Sequence, residues 1–157
     1  MNLSVTHRGT LRVAAAPAHA FQLFTAPGER LWIEDWDPVF PGGGDGREKG
    51  SVWITGVGSS KAYWVVADYD ADALHARYAR VAPLTHAGMV EVSARPCGAR
   101  ATEVEVTYRL TALTDDGNRH LAAFDAAAFD RMLDDWERMI ADADLEYPLP
   151  FATAGAP

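Results

Sequence analysis

The chain has 157 residues, of which 48% are apolar, and a formal net charge of −8. That is enough chain for one domain with a real core, and enough apolar content to exclude disorder. The negative balance excludes the Lys/Arg excess that nucleic-acid phosphates or an anionic membrane surface call for. No apolar run has transmembrane length, and the amino terminus MNLSVTHRG lacks the apolar core of a signal peptide. Cys97 is the single cysteine, so no internal disulfide can form. These features predict a soluble cytoplasmic protein, and the Ala/Asp/Arg-heavy composition points to a GC-rich bacterial genome.

Leu3 to Val13 alternates, with Leu3, Val5, His7, Gly9, Leu11 and Val13 on one face, and predicts a half-buried strand. Pro17 to Leu31 predicts two short helices. Pro17 suits a first helical turn, Phe21 and Phe24 form an i, i+3 pair, and Thr25 can cap the second helix ahead of Pro27. Trp32 to Pro41 has two tryptophans, two prolines and no clean period, and reads as a loop or irregular edge strand. PGGGDG, residues 41–46, is a turn; it lacks the Gly-Lys-Ser/Thr end of a phosphate loop and leads into a strand.

Strands are then predicted over Gly50–Gly56, Lys61–Tyr69, Leu74–Val81, His86–Arg95 and Thr102–Leu113. In the last, Thr102, Val104, Val106, Tyr108 and Leu110 point inward. Both faces of Tyr63-Trp64 are apolar, so one face is available to a second copy. Thr114, Asp115 or Asp116 can cap a long helix over Asp116–Ala143, whose apolar positions span an arc of about 180°, wider than an ordinary surface stripe. Such a helix is held from more than one side, as by a curved sheet. Short turns force antiparallel hairpins. The expected architecture is therefore α+β: six or seven curved antiparallel strands around a long C-terminal helix, with two short helices after strand 1. Residues 1–147 form one domain and 148–157 a flexible tail.

This order, with Ala16-Pro17-Ala18, Trp32, Trp36, Gly50-Ser51-Val52, Tyr63-Trp64-Val65-Val66, Tyr78-Ala79-Arg80-Val81, Val106-Thr107-Tyr108 and Trp136-Glu137, resembles the START/Bet v 1-like (SRPBCC) superfamily, of polyketide cyclase/dehydrase and lipid transport type. The resemblance implies a helix-grip fold with an elongated hydrophobic cavity, no cofactor and no universal catalytic set. It implies a partner that is a small lipid-, polyketide- or aromatic-like molecule. Alternatives are a polyketide cyclase/aromatase or dehydratase, and a chaperone-activator-like interaction module. A homodimer through the sheet's outer face is compatible with all three.

Five tryptophans are many for this length. Core packing is the plain reading of each, but aromatics on strands and on a gripped helix are also what an apolar pocket needs. Trp32 and Trp36, on the irregular segment, are favoured as ligand contacts, with Trp53, Trp64 and Trp136 behind them. Tyr78 and Tyr108 can orient a polar group. His86, Phe129 and Met132 complete the candidate lining. Asp125 falls within the apolar arc between Leu121 and Phe129, where a desolvated carboxyl becomes a general acid or base; otherwise the first helical turns protrude and Asp125 is solvated. His7 is either a hydrogen-bonded core residue or the partner that Asp125 would orient. Cys97 reads as a spectator thiol. No His, Cys or carboxylate group has metal-ligand spacing.

Overall fold

The structure, a computed structural model, describes residues 1–151. Its elements run β1 (Ser4–Val13), α1 (Pro17–Gln22), α2 (Ala26–Glu29), β2 (Val52–Thr55), β3 (Ala62–Asp70), β4 (His75–Ala82), β5 (His86–Pro96), β6 (Thr102–Ala112), α3 (Asp115–Ala123) and α4 (Ala126–Asp142). The six strands make one antiparallel sheet in the order β1-β6-β5-β4-β3-β2. Alternation decides which side chains enter the core. On β6, Thr102, Val104, Val106, Tyr108 and Leu110 are all buried, as their parity predicts. On β3, Trp64 points inward and Tyr63 outward. Tyr63 joins Val52, Val65 and Val81 in an apolar patch on the outer face, the face expected to meet a second copy.

The two short helices form where Pro17 and Pro27 occupy first turns, and Thr25 Oγ1 accepts from Gly28 N at 3.2 Å to cap α2. Trp32 to Pro41 is loop, apart from one bridge between Val39 and Ile54.

The long C-terminal helix is two helices, not one. Thr114 caps α3, which ends at Phe124, and Asp125 is extended and caps α4 by accepting from Ala128 N at 2.8 Å. The Ala-rich surroundings favour helix, but an aspartate that can bond a backbone N–H three residues on favours a new start. The 180° arc was thus two stripes superposed. On α4, Phe129, Leu133 and Ile140 are buried and Met132, Trp136 and Met139 half-buried. The helix grips β1 at Gly9, where a Cβ would sit 2.7 Å from Leu133 Cδ1.

The expected flexible tail is also shorter. Leu149 is 1% exposed, and the Arg47 guanidinium lies 5.1 Å from the centroid of the Phe151 ring, so residues 148–151 pack on the core. Residues 152–157 of that tail lie outside the described residues. No helix among the described residues is long and apolar enough to cross a membrane.

Candidate functional site: an aromatic interior with unpartnered polar groups

Between the concave face of the sheet, α2 and α4 lies a small cavity of about 20 Å³. Its aromatic wall is Trp53, Trp64, Tyr78, Tyr108, Phe24 and Trp136, and Glu29 also borders it. Trp53 and Trp64 are opposite each other on β2 and β3 and stack at 5.6 Å, 4° from parallel. Tyr78 meets Trp53 edge-on at 5.6 Å, and its hydroxyl donates to the Phe24 carbonyl at 2.9 Å. Trp136 reaches in from α4, 5.7 Å from Trp32 and 6.4 Å from Tyr108. A space of this size holds about one water, whereas drug-sized ligands occupy hundreds of Å³. The open, elongated cavity expected from the sequence is therefore nearly filled by its own aromatic side chains.

The polar groups of this interior are poorly satisfied. Trp53 Nε1 is buried without an acceptor, and so is Arg80 Nε. Neither the Glu29 carboxyl nor the Tyr108 hydroxyl has a hydrogen-bond partner among the described residues. Glu29 is half-buried and borders the cavity. Burial there raises its pKa from 4.5 to about 8, with the Arg80 charge acting in the opposite direction. Burial likewise pushes the Tyr78 and Tyr108 phenols up. Interiors rarely leave buried donors such as Trp53 Nε1 and Arg80 Nε unpaired, since each costs about 1–3 kcal/mol.

No family model matches the chain, and no curated protein does. Solved structures do. The Zhui aromatase/cyclase from Streptomyces sp. R1128 superposes with a TM-score of 0.64 at 15% identity, over 90% of this chain and 94% of its own. Norcoclaurine synthase from Thalictrum flavum, in complex with dopamine and hydroxybenzaldehyde, gives 0.63 at 10% identity, over 92% and 91%. Ara h 8.0201 gives 0.60 at 10% identity, over 88% and 99%. The chain has the Bet v 1-like helix-grip fold.

In this Bet v 1-like fold, five of the residues anticipated from the sequence border the cavity: Trp53, Trp64, Tyr78, Tyr108 and Trp136. The other five do not. Trp32 is 7% exposed and donates from Nε1 to the Leu23 carbonyl at 2.8 Å; Trp36 donates to the Ala26 carbonyl at 2.8 Å and braces Trp64 edge-on at 5.8 Å. Both indoles tie the irregular segment to α1 and α2. Phe129 is buried against Tyr108 and His7, and Met132 packs at the edge of the core. His86 lies at the end of the concave face, stacked on His120 at 5.2 Å. Burial, then the Arg80 and His120 charges, push its pKa down to about 4, so it stays neutral at ordinary pH.

Of the alternatives open for His7 and Asp125, the structure takes the hydrogen-bonded core histidine and the solvated aspartate. Asp125 is exposed because it caps α4. His7 Nε2 donates to the Phe124 carbonyl at 2.7 Å, its ring stacked on Phe129 at 5.4 Å. The carbonyl freed by the helix break is thereby satisfied, and His7 pins that break to β1.

Sequence reasoning missed Glu29 and Arg80. A signal existed for Arg80: it lies two residues after Tyr78 on β4 and so shares its concave face. Glu29 ends a four-residue helix, which has no period from which to read a face.

Proposed function

We propose that the chain binds a small, mostly aromatic molecule in the interior between the sheet and α4. The observation that carries this is the convergence of unpartnered polar groups on an aromatic-walled cavity. Trp53 Nε1 can donate, Tyr108 can donate or accept, and the Glu29 carboxyl is free. Such groups give orientation, and stacked indoles give apolar contact area. The nearly filled space means that entry requires a wall residue to move. Trp136 is suited to this, being half-buried on the helix that closes the cavity. That solved neighbours include an aromatase/cyclase, and a synthase holding dopamine and hydroxybenzaldehyde, supports a ligand of this size and kind.

The test is native mass spectrometry of freshly purified protein, with extraction of anything bound, followed by titration with the neutral probe N-phenyl-1-naphthylamine. A co-purified aromatic compound, or one-to-one probe binding that Trp136→Glu weakens, supports the reading. Empty protein that also fails to bind the probe refutes it.

A second reading is favoured by Glu29. A carboxyl with a pKa of about 8 carries its proton at neutral pH and can give it up or take it back during a reaction. This is the requirement of a cyclase/aromatase or dehydratase. Glu29→Gln should then stop conversion of a poly-β-keto thioester in a protein that still binds the probe; equal conversion by both proteins excludes it.

A further inference from the structure

Arg80 is not used by either reading. It alternates along β4 with Ala76, Tyr78 and Ala82, all buried, so its side chain leaves the concave face of the sheet. Its neighbours across the ladder are Trp64 on β3 and Gly88 on β5. Gly88 has no side chain to crowd the guanidinium, and a Cβ there would fall 1.9 Å from the Arg109 carbonyl oxygen, so glycine is required. On the other side the guanidinium carbon lies 5.1 Å from the centroid of the Trp64 ring. The arginine is thus held between an indole and an open stretch of strand.

Its charge is uncompensated. Arg8, Arg30, Arg77, Arg95, Arg119 and Arg138 each pair with a carboxylate near the surface, and the mostly buried Arg47 pairs with Asp45. Arg80 pairs with none among the described residues, and its Nε is buried without an acceptor. Glu29, a carboxyl that feels the Arg80 charge, forms no ion pair with it, and burial keeps it protonated at neutral pH. His86 and Tyr108, the other titratable groups that feel the Arg80 charge, are neutral there as well. A guanidinium in such surroundings calls for an anion, and its fork matches a planar oxyanion through two parallel hydrogen bonds.

We propose that Arg80 is the receptor for an anionic group, a carboxylate or ionised phenol, on an aromatic ligand whose rings lie against Trp64 and its neighbours. This rests on the binding reading above and narrows it to aromatic acids. Anion selectivity would run against the chain's overall charge of −8, so it would have to originate locally.

Two probes sharing one skeleton test it: 8-anilinonaphthalene-1-sulfonate, which is anionic, and N-phenyl-1-naphthylamine, which is neutral. Wild-type protein should bind the sulfonate at least ~10-fold more tightly, the ratio one charge-assisted contact supplies. Arg80→Gln should abolish that preference and leave the neutral probe within about threefold. Equal affinities in wild type, or a preference that survives Arg80→Gln, overturn the assignment while leaving the binding reading in place. Failure of the neutral probe as well removes the binding reading itself. Should Arg80→Gln not fold, Arg80→Met, which keeps the apolar stem against Trp64, is titrated with the same two probes. An anion preference that survives Arg80→Met overturns the proposal.

Discussion

Replacing Glu29 with glutamine should change how stability depends on pH. The folded state holds this proton up to a pKa of about 8, while the unfolded chain releases it near 4.5. A pKa raised by folding contributes stability that is complete below 4.5 and lost as pH climbs towards 8. The difference corresponds to ~5 kcal/mol at most, at 1.36 kcal/mol per pH unit, and to ~3 kcal/mol with solvent at the accessible edge of the residue. Glutamine has nearly the same shape and cannot ionise. Urea midpoints followed by tryptophan fluorescence at pH 5, 6, 7, 8 and 9 should show wild type losing stability across this window relative to Glu29→Gln. The gap should stop widening above pH 8. Other titrating groups are common to both proteins and cancel. Parallel profiles would mean that the carboxyl is solvated, and the reasoning about the site would fail with it.

Asp125→Ala should lower stability by ~1 kcal/mol through loss of the α4 cap while leaving probe binding unchanged, as read by urea denaturation and fluorescence titration. Gly9→Val should cost ~1–3 kcal/mol, because its side chain meets Leu133 where α4 grips β1, and a lowered melting temperature would show it. His86 has a pKa lowered by folding, so its contribution is present above pH 6.5 and lost as pH falls towards 4; His86→Gln should flatten that acid limb by ~1–3 kcal/mol in thermal melts.

The strands were legible because alternation is a local property that the sheet then uses unchanged; the inward row of β6 is one example. The helix break was not, because Ala122-Ala123 and Ala126-Ala127-Ala128 favour helix so strongly that Asp125 looked like a polar residue inside it. A bond from His7, far away in sequence, to the Phe124 carbonyl holds the break that the Asp125 cap starts. The anchoring of Trp32 and Trp36 was hidden for a similar reason: their indole N–H groups find the Leu23 and Ala26 carbonyls, which no pattern announces. The aromatic half of the site was readable from residue type. Its charged half needed the strand parity of Arg80 and the three-dimensional position of Glu29.

The strand order has a consequence for how the chain assembles. β2 to β6 are neighbours in sequence and can zip up hairpin by hairpin, but β1 pairs with β6, and Ser4 and Thr111 are 107 residues apart. During synthesis β1 emerges first and has no partner until β6 has left the ribosome, so closure of the sheet is a late, entropically expensive step. Until then the apolar row Val5, Leu11 and Val13 stands open, and a nascent chain stalled before β6 would expose a ready strand to its neighbours.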